Sequence, residues 1–286
     1  MVILSGAHSL IGEHILPVLR NTYQVCAFDA ERGDIRDISF VEQLFNEINP
    51  SIIINCAQNS DIDECEYKRE DSYHINGVIP GAIAQLCVTR KVKFVQLSTS
   101  YVFDGKSKKA YAENDPAHPV TVYGDSKQMA EKKILESGCD HLIIRVPHVY
   151  GKGYSFLSSY MERMKDAVKI SLPAGQMIMP TFAQDVARMV VALIDSDVRG
   201  VIHLGNSGSV KIRDFLFECA RRAGKKTGRN YIANIEDCDI EECLSPYDIP
   251  LNCVLDLSKI SAILGEAPRK WEAALDQFIE EFSDFL

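Results

Sequence analysis

Three residues carry groups suited to moving a proton at a carbonyl: Thr99, Tyr123 and Lys127. Tyr123 and Lys127 are four apart, a spacing that places both side chains on one helix face, one turn apart. A free phenol titrates near pH 10, and a cation within a few ångströms favours its ionised form. A tyrosine so assisted can act as acid and base near neutrality. Thr99 follows the apolar run Phe94-Val95-Gln96-Leu97, which reads as a buried strand. Its hydroxyl would then stand at a strand end, facing the helix. The pair means little alone, since a chain with this many tyrosines and lysines carries about 0.7 such pairs by chance. Its weight depends on the elements that position it.

Those elements alternate. Val2-Ile3-Leu4-Ser5 is a short apolar strand, followed by Gly6-Ala7-His8-Ser9-Leu10-Ile11-Gly12 and then Ile15, Leu16 and Leu19 at helical spacing. Strand, glycine turn, helix is the arrangement that seats a pyrophosphate on a helix N-terminus. Here the middle glycine of that fingerprint is replaced by Ser9, a small residue with a donor hydroxyl. Gln24–Phe28 is a second strand closed by Asp29. An acid about 20 residues past the turn accepts hydrogen bonds from an adenosine ribose and repels a 2′-phosphate. Arg32 nearby softens that preference. Gly33-Asp34-Ile35 precedes an amphipathic helix over Phe40–Ile48, for which Ser39 is the expected N-cap. Ser51–Asn55 is a third strand delivering Ala57, Gln58, Asn59 and Ser60 at its C-terminal end, where α/β folds bind ligands. A helix from near Ser72 to Arg90, kinked at Pro80-Gly81, leads to the Thr99 strand. After the Tyr123 helix, His141–Val146 forms another strand and ends at Pro147-His148.

The pattern predicts an α/β fold with a doubly wound parallel sheet of Rossmann type. Residues 1–150 would form the dinucleotide-binding domain, with parts of 180–205 joining it. Residues 151–286 would form a smaller lobe interleaved with the sheet, with helices at Phe156–Met164, Ala183–Ile194, Ile212–Ala223 and Trp271–Phe282.

Composition sets the outer bounds. Over 286 residues, 46% hydrophobic and 25% charged content is ordinary for a globular protein, and the net charge is −9. An acidic chain argues against nucleic acid as the main partner. No apolar run reaches the length of a membrane span, and the N-terminus lacks a basic leader. Nine scattered cysteines without a Cys-x-x-Cys read as reduced thiols of a cytoplasmic protein. Cys238 and Cys243 lie among carboxylates, as does the loop Asp61–Glu66, yet neither set has convincing metal-ligand spacing.

Together the glycine turn, Asp29, Asn55-Cys56-Ala57, Ser98-Thr99 and the Tyr123–Lys127 pair resemble the extended short-chain dehydrogenase/reductases. Ser98-Thr99-Ser100-Tyr101-Val102-Phe103-Asp104-Gly105, Val122–Lys127, Arg145–Gly151, Gln176, Pro180-Thr181 and Trp271–Leu275 make the chain most similar, within them, to the dTDP-4-dehydrorhamnose reductase family. The likeness covers nearly the whole chain and is strongest through residue 150.

The resemblance implies reduction of the 4-keto group of a nucleotide-activated 6-deoxy sugar. Tyr123 would give the proton, Lys127 would hold the nicotinamide ribose and depress the Tyr123 pKa, and Thr99 would bind the carbonyl. It implies a nicotinamide cofactor, NADH favoured over NADPH, contacting Gly6, Ser9, Leu10, Ile11, Gly12, Asp29, Asp34, Ile35, Ala57, Gln58, Asn59, Ser60, Tyr123 and Lys127. Magnesium stays open and is not indicated by any motif. Thr99, Ser100 and His148 would face the sugar, and the protein would be a monomer or homodimer.

Four positions depart from the family pattern. Ser9 replaces a glycine, Ser100 an aspartate, His148 a tryptophan, and Ile249 an arginine. Two other readings share these motifs: an epimerase or dehydratase of the same superfamily, and a non-catalytic subunit resembling the methionine adenosyltransferase β subunit.

Overall fold

The computed structural model describes residues 1–231, 234–238 and 248–282. Its centre is a six-stranded parallel sheet: β1 (Val2–Ser5), β2 (Val25–Phe28), β3 (Ile52–Asn55), β4 (Lys93–Thr99), β5 (His141–Val146) and β6 (Gly200–His203). The spatial order is β6-β5-β4-β3-β1-β2. The sheet is doubly wound, so its strands are apolar on both faces. Val2 and Leu4 join Val95, Leu97 and Ile144 in one core with helices α1 (Leu10–Arg20) and α5 (Ala183–Ile194). Ile3, Ile53, Phe94 and Ile143 face the other way, against α2 (Ile38–Ile48), α3 (Ile79–Arg90) and α4 (Val122–Ser137).

A third core collects Tyr150, Leu157, Met161, Phe182, Phe215, Trp271 and Phe278. It is built by helices Phe156–Lys165, Ile212–Thr227 and Trp271–Phe282. The strand His148–Tyr150, paired in parallel with Pro180–Phe182, leads into it directly from β5. His148 therefore lies where the sheet ends and this core begins.

Local readings needed three corrections. The α2 helix starts at Ile38, and its cap is Asp37, whose carboxylate accepts from Ser39 N and Phe40 N. A carboxylate also complements the helix dipole, so it outcompetes the serine two residues on. The break before α3 is not a kink at Pro80 but a π turn over His74–Val78, closed by Ile79 N donating to His74 O. Pro80 has no N–H to offer, so the extra residue absorbs the mismatch ahead of it. A short helix at Ser258–Leu264 had too little periodicity to be seen.

Seven cysteines (26, 56, 65, 87, 139, 219 and 253) are free thiols, six of them buried. Cys238 is disulfide-bonded, against the expectation of a reduced thiol. It sits half-buried on the two-stranded edge Ile235–Cys238, where a sulfur is not shut inside a core. Cys243 lies outside the described residues. No helix among the described residues is long and apolar enough to cross a membrane.

Candidate active site

The strand order reverses at β1, between β2 and β3. In open α/β sheets this switch point, at the strands' C-terminal ends, is where ligands bind. Gly6 ends β1 with φ +67°, a conformation that disfavours other residues. A Cβ on Gly6 would lie 2.5 Å from Ala57 N, and one on Gly12 would lie 2.0 Å from Gly6 O. Both glycines are thus required by backbone contact. Ser9 caps α1: its Oγ accepts from Gly12 N at 3.1 Å and donates to Gly6 O at 2.7 Å. The serine departure therefore closes the turn on itself. The first N–H groups of a helix have no acceptor within it, so Leu10 and Ile11 can present theirs to an anion.

A cleft of about 480 Å³ opens beside this turn. Of the residues expected at a cofactor, Gly6, Ser9, Asp29, Asp34, Ile35, Ala57, Gln58 and Asn59 line it. Leu10, Ile11 and Gly12 follow in α1, and Ser60 is exposed at the loop edge. Asn55 shapes this rim from below. Its Oδ1 accepts from Ala57 N at 3.0 Å and Ser5 Oγ at 2.8 Å, and its Nδ2 donates to Gln96 at 2.9 Å. Asp29 closes β2 but is not free, because His8 Nδ1 lies 2.7 Å from its Oδ2. Arg32 reaches the Ala27 carbonyl at 3.2 Å. Two more cations border the cleft, Arg36 paired with Asp34 and Lys68 paired with Glu64, each at 2.6 Å.

Sequence reasoning missed Asn76. It sits buried in the π turn, with Oδ1 accepting from Asn59 N at 2.9 Å and Nδ2 donating to Asn59 O at 2.9 Å and Ser126 Oγ at 3.1 Å. It fixes the Asn59 loop against the tyrosine helix. An Asn-Gly pair inside a helical pattern was the available signal. Gly77 beside it leaves room for the Ser126 carbonyl and Met129 side chain.

Thr121 starts α4, its Oγ1 accepting from Gly124 N at 3.0 Å. Tyr123 and Lys127 face the end of β4 from there, and both are buried. The Tyr123 phenol lies close enough to the Thr99 side chain for that hydroxyl to bear on its ionisation. Lys127 Nζ donates to Leu97 O at 2.6 Å and to Gln58 Oε1 at 2.9 Å. Thr99, Tyr123 and Lys127 therefore converge, and Gln58 ties the lysine to the cleft.

The expectation that Lys127 lowers the Tyr123 pKa is not met in the free chain. Burial pushes the phenol well above its ordinary value, and the neighbouring Thr99 hydroxyl only partly opposes this. The reason is that the ammonium is spent on a carbonyl and an amide. Burial also lowers the Lys127 pKa to about 8, opposed chiefly by Glu131.

Tyr101 links the pair to the third core. Its ring lies 5.9 Å from Tyr123 and 5.7 Å from His148, whose ring lies 5.6 Å from Phe156. His148 Nδ1 is buried without a hydrogen-bond partner, and burial lowers its pKa to about 4. The Ser100 hydroxyl is buried beside the Cys253 thiol. Ile249 is half-buried, next to buried Pro250.

The acidic loop is consumed structurally. Asp61 caps the helix Ile62–Tyr67, Glu64 pairs with Lys68, and Glu66 accepts from Val122 N at 2.8 Å. His8, Asp29 and Glu31 also cluster within reach of one another at the surface.

Comparison with known proteins agrees with this architecture. The family model described as RmlD substrate binding domain matches residues 1–284. The spore coat polysaccharide biosynthesis protein SpsK of Bacillus subtilis is 30% identical, over 99% of this chain and 98% of that protein. The crystal structure of a dTDP-4-dehydrorhamnose reductase from Clostridium acetobutylicum superposes with a TM-score of 0.89 at 28% identity, covering 98% of each chain. That of Bacillus anthracis, in complex with NADP, gives 0.88 at 29% identity, again over 98% of each. A match along essentially its whole length places the chain in the RmlD substrate binding domain family, an extended short-chain dehydrogenase/reductase of Rossmann architecture.

Proposed function

We propose that this protein reduces the 4-keto group of a nucleotide-activated 6-deoxy sugar with NADH or NADPH. The observation that carries the reading is the convergence of Thr99, Tyr123 and Lys127 at the end of β4, with Gln58 joining that cluster to the cleft. The family membership and the relatives named as dTDP-4-dehydrorhamnose reductases support the substrate class.

The cleft fits a dinucleotide. Gly6 and Gly12 make a cradle that a Cβ would fill, and the α1 N-terminus faces it. Ser9, Leu10 and Ile11 would hold the pyrophosphate, Asp29 the adenosine ribose, and Lys127 the nicotinamide ribose. When bound, the cofactor supplies a hydride to the carbonyl carbon. The chain's own residues manage the proton. Thr99 orients the carbonyl oxygen towards the phenol, and Tyr123 delivers its proton as charge develops there. A phenol held protonated by burial suits that direction of reaction, because it stays an acid until an oxyanion appears beside it. Lys127, positively charged at neutral pH, stabilises the phenolate left behind.

The test is oxidation of NADH and NADPH, followed by absorbance, with a panel of 4-keto-6-deoxy nucleotide sugars. Stoichiometric formation of the 4-hydroxy sugar is expected. Tight cofactor binding with no turnover on any panel member would favour a binding or regulatory role.

A further inference from the structure

Tyr123, Lys127 and Glu131 follow one another at four-residue intervals along α4, and each is tied to a different residue of β4. The phenol meets Thr99, and the ammonium meets the Leu97 carbonyl. Glu131 Oε1 accepts from Ser98 Oγ at 2.5 Å. Two successive turns of helix are thus hydrogen-bonded to β4, and the turn before them sets its phenol beside Thr99. Glu131 is 3% exposed, so its charge needs a partner. Arg145 on β5 supplies it: Nη2 lies 2.6 Å from Oε2 and Nε lies 3.0 Å from Oε1. Arg145 is fixed in turn by the Glu113 carbonyl at 3.2 Å, by His203 Nε2 at 3.4 Å and by the Phe103 ring 5.0 Å beneath it.

This network lies one turn behind the lysine. The titratable groups acting on Lys127 are Glu131 on its own helix, Cys56 at the end of β3 and Cys65 on the helix Ile62–Tyr67, with Tyr123 one turn before it. Burial keeps both thiols protonated, Cys56 being pushed up to about 12. Burial likewise keeps the Tyr123 phenol neutral in the free chain. Among the described residues, Glu131 is therefore the negative charge that opposes desolvation of the ammonium.

We infer that Glu131, held by Arg145 and Ser98, is a positioning residue that keeps the Lys127 ammonium charged and aimed along the edge of β4. Glu131 would touch neither substrate nor cofactor. Its role in turnover rests on the reductase reading above, but its effect on Lys127 does not.

The direct readout is the titration of Lys127 itself, followed by NMR with lysine labelled with ¹³C at Cε and the resonance assigned by its loss in Lys127→Arg. Glu131→Gln should move the Lys127 midpoint to lower pH by about one unit. Ser98→Ala, which keeps the charge and removes one hydrogen bond, should move it the same way by less. Losing one partner of a buried pair can unfold a protein. The double variant Glu131→Leu with Arg145→Met removes both charges while keeping apolar volume; because the Arg145 cation goes with the carboxylate, it should show a smaller shift in the same direction if Glu131→Gln does not fold. An unchanged midpoint in a folded charge-removing variant overturns the inference. The alkaline limb of kcat should follow the NMR midpoint. A shifted midpoint in a protein that reduces nothing would sink the reductase reading and leave this one standing.

Discussion

His8 Nδ1 lies 2.7 Å from the carboxylate of Asp29, across the mouth of the glycine turn. The acid that should grip an adenosine ribose is thus already engaged by a residue of the turn. The contact partly offsets the carboxylate's repulsion of a 2′-phosphate, and Arg32 and Arg36 lie nearby. Discrimination between NADH and NADPH should therefore be modest, within about tenfold. His8→Ala should shift the ratio of their dissociation constants towards NADH by roughly twofold to fivefold, the scale of an exposed ion pair. Fluorescence titration with each cofactor decides it, and a shift towards NADPH would refute this account of Asp29.

Tyr123→Phe deletes the proton donor and keeps the ring against Tyr101. Turnover should fall by ~10²–10⁴-fold, the usual scale of general acid catalysis. Cofactor affinity should hold, because Lys127 keeps its bonds to Leu97 and Gln58. Stopped-flow hydride transfer with pre-bound cofactor separates the two effects; an undiminished rate would show that another group is the acid.

His148 carries a buried ring nitrogen with no partner, at the junction of the sheet and the third core. On the proposed function, a substrate hydroxyl would meet that demand. His148→Phe should stabilise the free protein by about 1 kcal/mol, since an unmet polar atom is removed. It should also lower kcat/KM. His148→Trp should shift the ranking among 4-keto sugars towards the rhamnose precursor, since a site that hydrogen-bonds a hydroxyl rejects analogues lacking it. Thermal melts and substrate competition test both, and an identical substrate ranking in all three proteins would make His148 purely structural.

Acid should destabilise the fold through His203. It is fully buried, and its pKa is lowered to about 3 by burial and by Arg145. A guanidinium can only donate, so Nε2 must keep its lone pair to accept from Arg145. The folded chain holds this imidazole neutral, whereas the unfolded chain protonates it below about pH 6.5. The unfolded state thus binds more protons between those values. Stability should be full above pH 6.5 and fall by a few kcal/mol as pH drops towards 3. His148 adds in the same direction. Urea denaturation at pH 7 and pH 5 should show a smaller difference in His203→Gln than in the wild type. An equal pH dependence would show that His203 is not held neutral in the fold.

The fold class was legible because its signals are local. Val2–Ser5, Ile52–Asn55 and His141–Val146 are built on the apolar runs Val2-Ile3-Leu4, Ile52-Ile53-Ile54 and Leu142-Ile143-Ile144, and the helices between them carry 3.6-residue periodicity. Ala183–Ile194 and Trp271–Phe282 were legible to the residue for the same reason. The motif residues of the site could be named too, because the glycine turn and the tyrosine–lysine spacing are short-range patterns. What joins them could not. Asn76 reaches Asn59, and Ser98 reaches Glu131, across intervals that no periodicity encodes. The direction of the Tyr123 shift was misjudged because spacing shows which groups are neighbours, not which carbonyl the lysine prefers or how deeply the phenol is buried.

The π turn at His74–Val78 constrains something other than residue identity. It holds one residue more than an α turn, and each helical residue advances the side-chain direction by about 100°. Deleting one residue there would restore an unbroken helix while rotating Ile79–Arg90 relative to everything before it. Asn76 would lose either Asn59 or the tyrosine helix, and Ile83 and Cys87 would turn out of the core. Point substitutions in this segment can be judged by contact and volume, but an insertion or deletion changes the phase of two packed surfaces at once. Segment length should therefore tolerate variation less well than composition does between Tyr73 and Ile79.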